Sequence, residues 1–377
     1  MTPEIVVIGA GIAGAAAAAT LAERRPGDGR VVLVEREPLP AQHASGRSAS
    51  VLSETSGHPT VCALARLSRP FFERPPAGFA EHALLTPRGL LWVGEAGDES
   101  ALDELAARGR LVRDSVQRLD ADATARLLPT FIDTAIAGGG VYEPDAMAID
   151  TAAVIEGYLR HFRRHGGVVK VSHEAVELAR IPSGGWSVRA GDATVHAEHV
   201  VNAAGAWADL VAERAGLAPL GLTALRRTAA ITPTDHDLRT WPLVMDIAGR
   251  YYCEPETGGL LISPADETPT EPCDARPDDL DVAIALERVA AASGLPLRSI
   301  RHAWAGLRTF APDRVPMLGE DPRAPGLWWL AGQGGAGIKT APAMATLLAA
   351  LLHGEAFDDE TTTLGITPDQ LSPARFR

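Results

Sequence analysis

Ile5-Val6-Val7-Ile8-Gly9-Ala10-Gly11-Ile12-Ala13-Gly14 opens the chain, and an alanine-rich run to Leu21 follows it. The four apolar residues before Gly9 fit a short strand buried on both faces, and the run after the glycines fits a tightly packed helix. Gly9 permits a tight turn, Gly11 lets the backbone approach a pyrophosphate, and Gly14 lets the helix pack closely on the strand. Amides at the head of that helix, around Ile12 and Ala13, carry partial positive charge and face an anion. Residues 31–35 repeat the buried-strand signature and end in Glu35, followed by Arg36. An acid about 20 residues beyond such glycines accepts hydrogen bonds from a ribose. Strand, loop, helix, strand and acid in register predict a dinucleotide site. Glu35 disfavours a 2′-phosphate, so NADP fits worst; NAD and FAD stay open at this point.

The rest of the composition bounds the answer. A chain of 377 residues predicts two domains or one elaborated domain. Apolar residues make up 46% and charged residues 22%, a globular balance rather than a disordered one. The formal charge of −13, with no long basic run, argues against a nucleic-acid partner. Cys62, Cys253 and Cys273 are widely spaced, which predicts free thiols in a reducing cytoplasm and no metal motif. Residues 5–21 are apolar enough to test as a membrane segment, but Gly9, Gly11 and Gly14 interrupt them and no basic residue precedes them. The apolar run 341–352 is too short to cross a bilayer, so no stable membrane insertion is expected.

Periodicity predicts helices near 61–73, 103–113, 121–128, 207–215, 280–291 and 340–352, with another after an N-cap at Asp150. Strands are expected within 79–93, 167–172, 186–190, 199–203, 219–232, 241–262 and 327–330. Residues around Gly306 read as leading into an irregular loop. A buried strand running into glycine recurs near Ile8, Ala203 and Leu330, far apart in sequence. A discontinuous nucleotide-binding domain would use all three.

Several stretches carry a resemblance. They are Gly46-Arg47-Ser48-Ala49, Pro75-Pro76-Ala77-Gly78-Phe79, Val201-Asn202-Ala203-Ala204-Gly205-Ala206-Trp207, Pro219-Leu220-Gly221-Leu222 with Arg226-Arg227, Trp304-Ala305-Gly306-Leu307-Arg308, and Gly332-Gln333-Gly334-Gly335-Ala336-Gly337-Ile338-Lys339-Thr340. Together with the N-terminal glycines, the chain resembles the D-amino acid oxidase superfamily of flavoproteins, and within it the bacterial D-arginine dehydrogenases most. That resemblance implies an α/β, two-domain (α+β) fold. A Rossmann-like FAD-binding domain would comprise 1–50, 150–222 and 300–377; a substrate domain, with an antiparallel sheet roofing the flavin, would comprise 51–149 and 223–299. It further implies oxidation of an amine carbon by hydride transfer to flavin N5. The imino acid formed would hydrolyse to a 2-oxo acid and ammonia. The electron acceptor (a quinone, another carrier or O₂) stays open. Covalent relatives attach FAD through a cysteine soon after the segment matching Trp304–Arg308; residues 309–319 contain none, so non-covalent FAD is expected.

By the same resemblance, Arg308 would grip a substrate carboxylate, Tyr252 would add a hydroxyl donor, and the Gly335 carbonyl would accept from the amine. Arg227 would be a second arginine near the carboxylate, with Arg226 its competitor. FAD would rest on Gly9, Gly11, Ile12, Ala13, Gly14, Glu35 and Arg36 at its nucleotide end. His43, Arg47, Ser48, Ala49, Ala204, Gly205, Trp207 and Gly306 would line it further along, with the Val176 backbone at the adenine. Gly334, Gly337, Ile338, Lys339 and Thr340 would sit at the flavin, the Lys339 charge facing the N1–C2=O edge. The pattern departs in one place: Leu90 occupies the position of the carboxylate that holds a substrate guanidinium. Residues 50–57 stand where the relatives carry a flexible lid. Val51, Ser53, Ser56, Leu243 and Met245 complete the expected substrate pocket. An unpaired guanidinium there would cost roughly 2–5 kcal/mol. The expectation is therefore a D-amino acid dehydrogenase that prefers neutral side chains, its partner a small amino acid or amine. An O₂-using oxidase of glycine or sarcosine type and a catalytically silent FAD-binding subunit are the alternatives.

Overall fold

A computed structural model describes residues 4–25 and 30–376, so the reading of the chain's first three residues lies outside it. One sheet has the order Met317–Glu320, Leu327–Ala331, His199–Asn202, Ile5–Ile8, Val31–Val34, Val168–Lys170. Its strands are parallel except for the Met317–Glu320 edge. Ile8 is in register with Val34 on one side and Asn202 on the other. The three strands therefore end together, and Gly9, Glu35 and Ala203 meet at one rim. The carboxyl ends of parallel strands are where such sheets bind ligands.

Helix packing explains the alanine-rich run. Ala15, Ala16, Ala17 and Ala18 of helix Ile12–Arg24 are fully buried, against helices Thr151–Arg164 and Gly337–Leu352, and helix Pro59–Glu73 packs on the latter. Gly14 makes the close approach possible, since a Cβ there would lie 1.8 Å from the Gly9 carbonyl oxygen. The opposite face is covered by the three-stranded sheet Ala175–Arg180, Trp186–Ala190 and Ala193–Ala197. Asp150 caps its helix as expected, its carboxylate accepting from the Ala153 amide at 2.9 Å.

The second large sheet is mixed and mostly antiparallel. Its longest pairing joins Thr223–Thr232 to His302–Phe310, from Thr223 opposite Phe310 to Ile231 opposite His302. Gly259–Ser263, Tyr252–Glu256, Leu243–Asp246, Leu90–Gly94 and Gly139–Glu143 extend it. Helix Asp279–Ser293 covers one face over Val244, Cys253 and Ile262. Ala229, Tyr252 and Leu261 populate the other, with Leu243, Met245 and Trp304 partly buried beside them.

Three expectations change. Gly306 lies inside a regular strand rather than ahead of a loop, because a nine-residue ladder outweighs the weak breaking tendency of one glycine. That strand joins the second sheet although it lies beyond residue 300, and helix Pro59–Glu73 packs in the core of the first sheet's helices although it lies within 51–149. The segment Gly334–Leu352 is long and apolar enough to span a bilayer, contrary to the shorter run read from sequence. It is nonetheless 78% buried inside the protein, as the central helix of the first core.

Candidate active site

A long cleft runs between the two sheets, with about 1640 Å³ of free space counting its open mouth. At one end stands Glu35, 8% exposed. One carboxylate oxygen accepts from the Ala10 amide at 2.6 Å and the other from the Glu37 amide at 2.9 Å. Each oxygen keeps a lone pair for a ribose hydroxyl. Trp207 closes this end, with the Arg36 guanidinium 4.9 Å above its ring and the His43 ring 4.7 Å away. Gly9 has φ +99°, and a Cβ on it would come within 2.6 Å of the Ala203 carbonyl. Gly11 heads the first helix without any side-chain cap; Ile12 donates to the Ser45 hydroxyl at 2.9 Å, and Ala13 lines the cleft beside it. A side-chain-free turn, a helix N-terminus with no charged cap and a buried carboxylate with spare lone pairs fit a dinucleotide. Gly14 is turned onto Gly9 and off the wall. Val176 is off the wall too: the ladder shifts register between Ala175 and Glu177, which makes Val176 the extra residue of a bulge, and His173, Glu174 and Ala175 form the wall instead.

Glu35→Gln would set an amide NH₂ against a backbone N–H. Losing a charged acceptor of that kind costs about 1–3 kcal/mol, so FAD should bind roughly 10–100-fold more weakly to the apoprotein in a fluorescence titration. An unchanged dissociation constant would remove Glu35 from the site.

The other end is built from strand alternation. Arg227 lies opposite Gly306 and Leu225 opposite Arg308, so Arg227 and Arg308 stand diagonally on one face. Arg226 points to the other face and donates to Asp281 at 2.8 Å, so Arg227 is the one of the two that lines the cleft. Arg227 is anchored by the Asp266 carbonyl at 2.6 Å and lies 5.8 Å from the Tyr252 ring. Among the described residues neither the Arg308 guanidinium nor the Tyr252 hydroxyl has a hydrogen-bond partner, yet both line the cleft. Burial, and then the neighbouring Arg308 charge, hold the Arg227 pKa below its ordinary value. Arg227 also meets the Glu267 carboxylate at 3.4 Å, so Arg308 is the cation left without a protein anion among the described residues, and with the Tyr252 hydroxyl it makes a site for one.

Gly335 abuts this group: a Cβ there would lie 3.0 Å from an Arg308 guanidinium nitrogen. Gly334, Gly337 and Ile338 continue the wall; Ser48, Ala49, Ala204, Gly205 and Gly306 also line the cleft. Arg47 does more than line it. Its guanidinium donates to the carbonyls of Ala275 at 2.8 Å and Ala305 at 2.9 Å and pairs with Asp274, which ties a loop across the cleft. That loop brings Cys273, exposed, to the wall.

Other expected residues lie elsewhere. The Lys339 ammonium, 6% exposed, donates to the Ser53 carbonyl at 3.0 Å and to the Ser56 carbonyl and hydroxyl at 2.8 and 2.9 Å. It is turned away from the cleft, as is Thr340, whose hydroxyl bonds the Ala336 carbonyl at 2.9 Å. Burial lowers the Lys339 pKa, opposed by the charges of Cys62, Glu143 and Glu54. The segment 50–57 is clamped rather than loose. Glu143 accepts from the Ser53 hydroxyl at 2.7 Å, the Glu54 amide at 2.8 Å and the Thr55 hydroxyl at 2.5 Å. Glu54 pairs with Arg69 and, at 3.0 Å, with Arg113. Val51, Ser53, Ser56 and Leu90 are not on the cleft wall: Val51 pairs with Ala148, Ser53 and Ser56 are held as above, and Leu90 is buried in the second sheet. Leu243 and Met245 stay beside Tyr252 on the same sheet face.

That face holds a group the sequence reading missed. Glu254 lies two residues past Tyr252 on one strand, hence on the same side, at 6% exposure and with no hydrogen-bond partner among the described residues. Burial pushes its carboxyl up to about 7, with Arg88 opposing. Its only signal in the sequence is the two-residue spacing from Tyr252.

Residues 4–351 match the family described as DAO, FAD dependent oxidoreductase. Mouse mitochondrial dimethylglycine dehydrogenase is 28% identical over 57% of this chain, and the chain spans only 27% of its length. Glycine oxidase of Pseudomonas aeruginosa is 28% identical over 94% of this chain and 96% of its own. The crystal structure of glycine oxidase from Geobacillus kaustophilus has the same fold, with a TM-score of 0.82 at 24% identity over 97% of this chain and 99% of that one.

Proposed function

The chain belongs to the DAO family of FAD-dependent oxidoreductases, and from that premise we propose that it oxidises the amine carbon of a D-amino acid with an uncharged side chain. One observation carries the reading: Arg308 and Tyr252 face the cleft without protein partners, beside Arg227 and the Gly335 backbone. A carboxylate bound there takes a planar two-point contact from Arg308 and a hydroxyl donor from Tyr252. Arg227, held from behind by Asp266, adds positive potential without having to move. The Gly335 carbonyl accepts from the neutral amine and so fixes which face of the substrate carbon points along the cleft. FAD, held without a covalent bond, supplies the two-electron acceptor for the α-hydride. Among the described residues the carboxylates nearest this end, Asp266 and Glu267, are held by Thr228, Arg227 and Arg314 behind the wall, so the amine proton leaves to solvent. Catalysis rests on position rather than on an acid–base pair.

Side-chain preference follows from what remains beyond Tyr252. Leu243, Met245 and Trp304 are apolar, Glu54 is already paired twice, and Leu90 is covered. Glu254, with its carboxyl at about 7, offers no fully formed anion at neutral pH. With an artificial acceptor, D-Leu, D-Met and D-Phe should each show a higher kcat/KM than D-Arg; D-Arg ahead of all three would overturn the preference.

A second reading, an O₂-using oxidase of glycine or sarcosine, has support in the glycine oxidase relative that matches 94% of this chain. Peroxide release from glycine or sarcosine in air would favour it over a dehydrogenase. A silent FAD-binding subunit would leave the flavin band unbleached by any amino acid under anaerobic conditions.

A further inference from the structure

Away from the cleft, helices Ile12–Arg24 and Thr151–Arg164 pack side by side and bring Glu23 against His161 and His165. The two histidines are one turn apart, so they share a face, and their rings lie 4.4 Å apart. One potential ligand atom from each of the three residues lies within 4.8 Å of the others. His161 Nε2 is 3.3 Å from a Glu23 carboxylate oxygen. Ligands about 2.0–2.1 Å from a tetrahedral zinc ion are separated by roughly that distance, about 3.3–3.4 Å.

Two details point to a ligand rather than to a simple ion pair. His161 Nε2 is buried and has no hydrogen-bond partner among the described residues, although it faces the cluster. His165 places Nδ1 3.0 Å from the His161 carbonyl. That contact makes Nδ1 the donor and leaves the Nε2 lone pair free, the arrangement that orients metal-bound imidazoles. A Glu23–His161 pair would leave His165 idle beside a charged ring. Neighbouring cations are engaged elsewhere: Arg24 pairs with Glu355, and Arg164 donates to the Ala77 carbonyl.

We propose that Glu23, His161 and His165 form a three-ligand site for a divalent transition-metal ion of the zinc class, with water completing the coordination. Nitrogen and carboxylate ligands of this kind suit zinc, and three protein ligands leave one position open. The ion joins the C-terminal turn of the first helix to the end of the second, on the outside of the nucleotide sheet's helical layer. The sequence showed no metal motif because the third ligand comes from a different helix.

The test uses untagged, FAD-loaded protein freed of metal with EDTA. Calorimetric titration should show one Zn²⁺ bound per chain, and Co²⁺ should give the visible absorption of a low-coordinate site. His161→Gln and His165→Gln should each weaken Zn²⁺ binding on the order of 100-fold or more. The exposed His196→Gln should leave it unchanged, and a retained flavin spectrum reports that each variant is folded. Zn²⁺ should raise the unfolding midpoint of the parent protein but not of the histidine variants. No Zn²⁺ binding by the parent, or binding that survives both substitutions, overturns the site.

Discussion

Replacing Arg308 with methionine is expected to raise KM for carboxylated amino acids by ~10²–10³-fold while FAD stays bound. Truncating one partner of a hydrogen-bonded charge pair in a desolvated site costs 2–5 kcal/mol or about that, which spans this range. Methionine keeps most of the stem volume, so the cleft wall survives. No protein acceptor is stranded, because Arg308 has none among the described residues. Repulsion on Arg227 also falls, since the Arg308 charge is one of the two causes that lower its pKa. Folding stability should therefore hold or rise slightly. Arg227 compensates poorly, being tethered to the Asp266 carbonyl at 2.6 Å. Arg308→Lys keeps the charge but loses the two-point fork, and should fall between parent and methionine variant. An amine without a carboxylate should be nearly indifferent to either change. Steady-state kinetics with an artificial acceptor separate these cases, and an unchanged KM in the methionine variant would refute carboxylate binding by Arg308.

The two ends of the cleft differ in how much the sequence reveals. The glycine turn and Glu35 are readable because they are local: strand, turn, helix and strand follow one another within 35 residues. What the sequence does not show is that both Glu35 oxygens already accept backbone amides. Arg226 and Arg227 are indistinguishable until the strand's register is known, since a one-residue slip exchanges the faces. The pairing of Arg227 with Gly306 decides it. Lys339 misleads for a related reason. Each helical step turns the side chain through about a quarter of a circle, so the residue after Ile338 leaves the cleft even though its backbone is at the helix head. Its partners Ser53 and Ser56 lie near the other end of the chain, as Glu143 lies far from the segment 53–55 it clamps. The resemblance implied a mobile lid there, and nothing local in the small polar residues corrects it, because their partners are non-local. Composition reports polarity, whereas order depends on partners brought in by the fold.

Glu254→Gln is expected to gain stability relative to the parent by about 2.5 kcal/mol between pH 5 and pH 8. The Glu254 carboxyl has an ordinary value of 4.5 and is pushed up to about 7 by burial. Between those two values the native protein holds a proton that the unfolded chain has released. Unfolding in that window releases a proton, so stability falls as pH rises through it and levels off above the folded-state value. Glutamine cannot ionise and escapes the loss. Near pH 5 it should behave much like the protonated acid, which also donates one hydrogen and accepts with the other oxygen. Urea unfolding of both proteins at about pH 5 and about pH 8 measures the double difference directly, with other titrating groups cancelling between them. A difference independent of pH would mean that Arg88, the opposing influence, already keeps the carboxylate charged in the folded protein. In that case the sheet face beyond Tyr252 would hold a formed anion, and D-Arg would gain on D-Leu as a substrate. The stability measurement thus bears on the side-chain preference without any turnover being measured.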